Sequence, residues 1–477
     1  MKTSITSQSN NIKSRTFSKA KVIIYKISAI AFWILIWEAL ALRIGSELIL
    51  ASPVSVAKTL FGMIGRGELW KPVWFSLARI FTGFAAALVL GSAAAVVSSR
   101  VRAVKILLSP ITSVIKSTPV ASFIILAIIW FGSRNLNAFI SFLMGFPIVY
   151  LNILSGIESV SREMLEMSEV YGMNLRKKLT YVYLPQLMPF VTSACSVALG
   201  LCWKSGVASE VIGISVGSIG ERLYESKLYF MTSELLAWTV VIIVISTVIE
   251  KLVLAALGAA SRAPSRRFSM GNLSRYPAAS DIDAAAGGIT ISDLHKSFGE
   301  ESVLKGVSIA VAPGEHVALM GQSGAGKTTL SRIILGLETQ DSGNVELTGQ
   351  GKIGAVFQED RLIGGLNAIG NIVAAGGSAS SAYSLLQDFR FTDELIFKPC
   401  SELSGGEKRR VAIARALICG GGILIFDEPF KGIDNETLSE AVLPKVKELS
   451  DSKTLLLITH SRAEAEELCS RTEKMEE

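Results

Sequence analysis

Apolar and polar positions divide the chain into two halves with different periods. Between about residues 21 and 258, long apolar runs recur near 23–43, 74–98, 106–131, 136–157, 187–212 and 233–256, separated by polar connections. Most are close to the ~20 residues a helix needs to cross a bilayer core, so six spans are predicted. Pro110 and Pro119 lie inside the third. Proline removes an amide donor and clashes with the preceding turn, so that span is expected to be kinked or broken. From Ile289 onward, short β-rich runs alternate with helical patterns. This predicts an α/β domain on a largely parallel sheet. Residues 259–288 are rich in Ala, Ser and Arg without apolar periodicity and read as a flexible linker. Its Arg262, Arg266 and Arg267 either lie against anionic lipid or are simply solvated.

Composition supports this division. Of 477 residues, half are hydrophobic and 18% are charged, with mean hydropathy +0.45. That excludes a disordered chain and most soluble enzymes. A net charge of +6 is small for the length and gives no reason to expect a nucleic-acid partner. Five cysteines, an odd number with no CxxC pair, argue against a disulfide framework or zinc site and suit a membrane facing a reducing cytosol. Residues 1–20 are polar and basic (Lys2, Lys13, Arg15, Lys19) and precede an apolar run with no signal-cleavage pattern. Lys and Arg gather in the N-terminal segment and in the 99–105 and 158–186 loops, which places both chain ends inside the cell.

The candidate chemistry lies in 289–477. A strand-like run, 316–320, leads into Gly321, Gln322, Ser323, Gly324, Ala325, Gly326, Lys327 and Thr328, followed by Thr329 and a helical stretch. This is a G-x-x-x-x-G-K-[ST] phosphate loop in its strand–loop–helix context. Its glycines let backbone amides close around phosphate oxygens at a helix N-terminus. Lys327 would neutralise the β and γ phosphates of a nucleotide, and the Thr328 hydroxyl can take a place on magnesium. About 100 residues on, Ile423 to Phe426 read as a buried strand ending in Asp427 and Glu428. Asp427 would hold Mg2+, and Glu428 would orient and deprotonate the attacking water.

The string LSGGE (403–407), followed by KRRVAIARAL, resembles the signature of ATP-binding cassette proteins, and the whole of 289–477 resembles their nucleotide-binding domain in motif order. The resemblance implies further roles. Phe298 would stack on adenine, and Gln358 would sense magnesium and the transport domain. Asp434 belongs to the loop after the catalytic glutamate, and His460 would contact the γ-phosphate. Ser404, Gly405 and Gly406 would complete the ATP site of an opposite subunit. One chain carries one of each motif, so a head-to-tail homodimer with two shared sites is expected. His295 and His316 match no motif and default to structural roles, and Cys400 to packing. Three departures stand out: Glu407 where glutamine is common, KGID (431–434) where SALD is usual, and Gly364-Gly365 in a short arm between Gln358 and Ser404.

The 158–186 loop contains EMSEVYG, nine residues, then VYLP, with Glu166, Gly172, Val182, Leu184 and Pro185 in a pattern that resembles the cytoplasmic loop of bacterial importer permeases. Two short helices broken at Gly172 are expected, docking on the cassette near Gln358. Stretches 50–60, 117–132 and 146–160 resemble the nitrate, sulfonate and taurine permeases. Together these resemblances imply a multi-domain chain: a basic N-terminus (1–20), an all-α six-span permease (21–258), a linker (259–288) and an α/β P-loop ATPase (289–477). They imply ATP-driven import of a small-molecule substrate through the lipid bilayer of a bacterial inner membrane, supplied by an extracytoplasmic solute-binding protein. An exporter, or a vitamin-precursor cargo, is the alternative. Glu38, Lys204 and Glu210 fall inside spans, where charge is costly. Lys204 either attracts an anionic substrate or snorkels or pairs with an acid.

Overall fold

The computed structural model describes residues 3–266, 268, 285–322, 324–349 and 352–475, with side chains from Ile24 to Ala260 and through the later segments. The chain forms two compact units, Met1–Glu158 with Phe190–Ala256, and Ser159–Pro189 with Leu257–Glu477.

The first unit is helical. Among the described residues five helices are long and apolar enough to cross a membrane: Ile24–Ile44, Trp70–Arg100, Leu136–Glu158, Leu175–Gly213 and Thr232–Ala260. A sixth span results if the pair Arg102–Ser117 and Val120–Phe131, bent by 107°, is counted as one. The expected break in the third span therefore occurs, and it occurs at Pro119. The proline forces Thr118 into an extended conformation (φ −84°, ψ 133°), which ends the first helix. Pro110 stays inside Arg102–Ser117.

Trp70–Arg100 packs along Leu136–Glu158 through a seam of small residues. Gly83, Ala87, Gly91 and Ala95 repeat every fourth position and are all buried. A Cβ on Gly83 would stand 2.3 Å from the Ala138 carbonyl, and one on Gly91 3.0 Å from Val149. Lipid tails are as apolar as leucine, so membrane helices gain by close backbone approach rather than by burying bulk. The same unit ties its helices with a buried carboxylate. Glu210 is fully buried and accepts hydrogen bonds from Ser76 Oγ (2.8 Å), Asn137 Nδ2 (2.7 Å) and the Gly220 amide (3.2 Å). Lys204 is exposed, and among the described residues it has no ion-pair partner.

Among its described residues the second unit carries eight strands: β1 (Ile289–Phe298), β2 (Glu301–Val311), β3 (His316–Gly321), β4 (Ser342–Leu347), β5 (Ile353–Val356), β6 (Ile423–Asp427), β7 (Thr454–Ile458) and β8 (Arg471–Met475). An antiparallel sheet has the order β2-β1-β4, and a parallel sheet the order β5-β6-β7-β3-β8. All five residues of β6 and of β7 are buried. That is what a continuous apolar run means when helices cover both faces of a parallel sheet. His316 bonds to the Leu468 and Ser450 carbonyls, each at 2.9 Å, and so has the structural role expected of it. Cys400 is buried beside Asn371, and burial pushes its thiol up to about 12, which makes it inert packing.

Two expectations need correction. The helix Thr232–Arg266 continues through 259–266, where a flexible linker was expected. Its Ala-rich sequence favours helix over coil. Arg267 and residues 269–284 of that segment lie outside the described residues. In the 158–186 loop, Gly172 (φ 56°) does break the chain after the helix Arg162–Val170. The second half is not a separate short helix. Leu175–Lys177 passes through a π-turn, Lys178–Tyr183, straight into Leu184–Gly213.

Candidate active site

The C-terminal ends of β3, β6 and β7 lie side by side, the edge at which a parallel α/β sheet presents its ligands. The sequence-predicted groups converge there. After β3 the loop turns through Gly326 (φ 85°), where a Cβ would meet Leu304 at 2.7 Å, so only glycine fits. The helix Lys327–Ile334 starts immediately after it. Ser323 lies outside the described residues; Gly321, Gln322, Gly324, Ala325, Thr328 and Thr329 take the expected places in the loop and first helical turn. Lys327 Nζ folds back and donates to the carbonyls of Gly321 (2.7 Å) and Gln322 (2.6 Å). Burial lowers its pKa, and the charges of Asp427 and Glu428 oppose that shift.

Asp427 ends β6 and is buried. Burial pushes its carboxyl above the usual range and the neighbouring Glu428 adds to this, while the hydroxyls of Thr328 and Ser331 pull the other way. Ser331 Oγ stands 3.5 Å from Asp427 Oδ2. A cavity of about 90 Å³ is lined by Thr328, Asp427 and Gln358 among others. A buried, under-compensated carboxylate beside a hydroxyl and an amide is a hard-oxygen donor set that fits Mg2+. Among the described residues no cluster of three or more His, Cys, Asp or Glu could hold a metal by itself.

Glu428 follows with φ 47°, the left-handed region that non-glycine residues rarely adopt. Such strain is a feature of functional positions held by their surroundings. Its amide donates to the Ile458 carbonyl at 2.9 Å, which fixes the turn against the end of β7. Its side chain lies between two bases: His460 Nε2 is 3.3 Å from Oε1, and Lys431 Nζ is 3.2 Å from Oε2. His460 was expected to contact the γ-phosphate, and its place beside Glu428 was not foreseen. Lys431 was noted in the sequence only as a departure, and nothing in the string indicated its partner.

The remaining predicted residues occupy separate places. Phe298 ends β1 and is 49% exposed, with the Lys296 ammonium 5.1 Å from its ring centroid. Gln358 is exposed, and its carbonyl accepts from Arg409 Nη2 at 2.6 Å. Asp434 caps a helical turn by accepting from the Thr437 amide (2.8 Å), and that bond holds its carboxyl below the ordinary value. Ser404 caps the helix Gly405–Cys419 in a reciprocal box with Glu407: the Ser404 amide donates to Glu407 Oε2 at 2.7 Å, and the Glu407 amide donates to Ser404 Oγ at 3.4 Å. The unusual Glu407 therefore has a local purpose. Gly406 lies against the Gly432 carbonyl, where a Cβ would come within 2.7 Å.

Arginines that sequence reasoning missed surround the importer-like loop. Glu166 is buried, and Arg332 grips it bidentately (2.9 and 2.7 Å) while Arg361 adds a third contact (2.9 Å). Arg162 completes the group from the loop itself, at 3.1 Å. Burial works to raise the Glu166 pKa, but Arg332 and Arg361 overcome it and hold the carboxyl below its usual value. Beside it, the Tyr171 hydroxyl donates to the Ala355 carbonyl at 2.8 Å, and Lys177 donates to the Val373 and Ala374 carbonyls. Arg332 belongs to the phosphate-loop helix and Arg361 to the segment after Gln358, so this loop is bonded to the two elements that border the predicted magnesium position.

Comparison with known proteins agrees with this geometry. The family profile described as "ABC transporter" matches residues 304–431, and that described as "Binding-protein-dependent transport system inner membrane component" matches residues 87–262. The Nod factor export ATP-binding protein I of Paraburkholderia xenovorans (strain LB400) is 36% identical over 207 residues, covering 40% of this chain and 68% of that protein. The lipoprotein-releasing system ATP-binding protein LolD of Porphyromonas gingivalis (strain ATCC BAA-308 / W83) is 37% identical over 198 residues, 36% of this chain and 89% of that one. The aliphatic sulfonates import ATP-binding protein SsuB of Rhodopseudomonas palustris (strain BisA53) is 36% identical over 195 residues, 38% of this chain and 69% of that one. The chain belongs to the ABC transporter family, as a multi-pass membrane permease of the binding-protein-dependent type fused to an ATP-binding, ATP-hydrolysing cassette.

Proposed function

We propose that two copies of this chain form an ATP-driven importer of a small solute in a bacterial inner membrane, with the cassettes on the cytoplasmic side and an extracytoplasmic solute-binding protein delivering the cargo. The observation that carries this reading is the Glu166 loop, whose importer-like sequence is gripped by arginines from the phosphate-loop helix and the segment after Gln358. The permease profile is of the binding-protein-dependent kind, which also supports import. One relative is named for aliphatic sulfonates, in line with the sulfonate, nitrate and taurine class suggested by the permease sequence. The relatives named for export and for sulfonates match over 40% and 38% of this chain, so neither name bears on the whole, and the import reading rests on the permease profile and the Glu166 loop.

Each residue then has a task. Lys327 leaves the Gly321 and Gln322 carbonyls to neutralise the β and γ phosphates, and the loop amides of residues 321–329 surround them. Phe298 stacks on the adenine. Thr328, Asp427 and Gln358 would hold magnesium, which when bound neutralises charge on the phosphate oxygens. Glu428 holds the attacking water and takes its proton as the oxygen bonds to the γ-phosphorus and ADP departs. His460 keeps the Glu428 carboxylate in place and stabilises the γ-phosphoryl charge. Ser404, Gly405 and Gly406 of one copy close the site of the other, with Asp434 lining the junction between copies. Glu166 conveys the closure to the permease.

The test uses the full chain in nanodiscs. Glu428→Gln should lower kcat by roughly 10²–10⁴ while ATP binding persists, and binding protein loaded with cargo should raise the parental ATPase rate. Parental turnover by the variant would overturn the reading.

A further inference from the structure

The broken third span carries a feature that the ATPase chemistry does not use. Along Arg102–Ser117, the residues Arg102, Lys105, Ser109, Thr112, Ser113 and Lys116 recur at three- and four-residue intervals, which places them on one face of the helix. The opposite face is apolar and exposed, through Leu107, Ile111 and Val114. Two adjoining cavities of about 530 and 810 Å³ open on the polar face and share Lys105 and Ser109. The smaller is completed by Tyr150 from the neighbouring span, and the larger by Ser98, Arg100 and Glu158.

The charge lining this space is predominantly positive, with Arg100, Arg102, Lys105 and Lys116 against one acid. Glu158 is the single acid lining it, and Lys105 already engages that carboxylate at 2.6 Å. Arg100, Arg102 and Lys116 have no ion-pair partner among the described residues. Lys116 lines the smaller cavity, two residues before the extended Thr118 and the break at Pro119. Past the break, the helix Val120–Phe131 begins and turns away by 107°. A discontinuous span with cations and hydroxyls facing a cavity is the arrangement by which membrane proteins make polar sites in an apolar medium, because unwound backbone is tolerated only where it lines such a space. A cation would find no available carboxylate there. An apolar solute would strip hydroxyls and ammonium groups of water without replacing it. A small oxyanion meets both ammonium charge and hydroxyl donors. Lys204, the candidate from the sequence, borders neither cavity.

We propose that these cavities form an anion vestibule, in which Lys116 and the hydroxyls of Ser109, Ser113 and Ser117 receive the sulfonate- or nitrate-like head of the cargo and Arg100 and Arg102 draw it toward the cytoplasm. The proposal rests on the import reading for the direction of travel. Its binding chemistry can fail or hold independently of that reading.

The test places a reporter thiol in the cavity. Ser113→Cys in the full chain, in phosphatidylcholine nanodiscs, is treated with the anionic sulfonatoethyl methanethiosulfonate and with its cationic trimethylammonium analogue, and the parent chain gives the background from native thiols. A charged cleft concentrates counter-ions, so the anionic-to-cationic rate ratio should exceed that of a small free thiol by about tenfold. Lys116→Met in the same background should remove most of that excess, Lys116→Arg should keep it, and ethanesulfonate should slow the anionic reagent. A ratio equal to the free thiol's, or one indifferent to Lys116→Met, would overturn the proposal. Nanodiscs containing phosphatidylglycerol separate the sources of the anion. If that lipid abolishes the preference and ethanesulfonate gives no protection in phosphatidylcholine, the site belongs to a lipid headgroup and the vestibule is wrong. The Glu428→Gln turnover measurement is independent, so a flat thiol ratio with lost ATPase refutes the vestibule alone.

Discussion

The two units bury acids in opposite ways. In the membrane unit, Glu210 is satisfied by neutral donors from other helices, and the spans meet through small residues. In the cassette unit, Glu166 is enclosed by arginines, and Asp427 is left under-compensated beside the phosphate loop. The difference follows from purpose. A carboxylate completed by uncharged partners holds helices together, a carboxylate clamped by cations holds a joint that has to carry load, and one left short of positive charge suits an arriving cation.

The largest expected effect is at the phosphate loop. Lys327→Ala should cut kcat/KM for ATP by about 10²–10³, read by phosphate release, because the principal phosphate charge partner is gone. It should leave the membrane unit's thermal midpoint where it was, and a fall there would break the separation between the units. Next is Glu166→Ala. Removing one partner of a buried charge group strands the rest, at a cost of roughly 3 kcal/mol. The expected outcome is a cassette that still hydrolyses ATP but no longer responds to loaded binding protein. The same cluster sets a pH dependence. Because the folded Glu166 pKa is depressed, its contribution is fully present above the ordinary value of about 4.3 and is lost as pH falls through the lower folded value. Thermal midpoints followed from pH 7 downward should drop on that acid limb, and Glu166→Gln should flatten it.

Within the membrane unit, Gly83→Leu should cost about 1–3 kcal/mol, since the clash is with the Ala138 carbonyl, a backbone atom that cannot swing aside. Denaturation in mild detergent would measure it, and an unchanged midpoint would mean that the small-residue seam is not what joins the helices. The smallest effect is at Glu407. Glutamine also completes a capping box, so Glu407→Gln should alter stability by only a few tenths of a kcal/mol, whereas Glu407→Ala should lose about 1 kcal/mol.

How far the sequence was legible depends on how local each device is. The phosphate loop and the Asp427–Glu428 strand end are contiguous strings whose backbone conformation is their function, so they could be read directly. The break of the third span could also be read, but its position at Pro119 was decided by the extended residue before that proline, while Pro110 was absorbed into a helix. The Glu166 loop was visible. Its arginines were not, because they lie 166 and 195 residues away in the chain. Glu210 was noticed only as a charge in a span. Its partners Asn137 and Ser76 are 73 and 134 residues distant, and the fold alone brings them together. The seam at Gly83, Ala87, Gly91 and Ala95 was in the string, but hydropathy does not separate it from the other small apolar residues around it.

The most direct test of the account asks whether one chain can complete its own ATP site. Ser404 is engaged in capping its own helix, and the expected arrangement has it close the site built on another copy's Lys327. Full-length Lys327→Ala and Ser404→Arg variants, each inactive alone, are co-purified as a mixed pair in nanodiscs and assayed for ATP occlusion and hydrolysis. If sites are shared, the mixed pair holds one doubly damaged site and one intact site, and occlusion returns. If each chain builds its own site, both remain damaged, the mixture is as inactive as its components, and the account is contradicted.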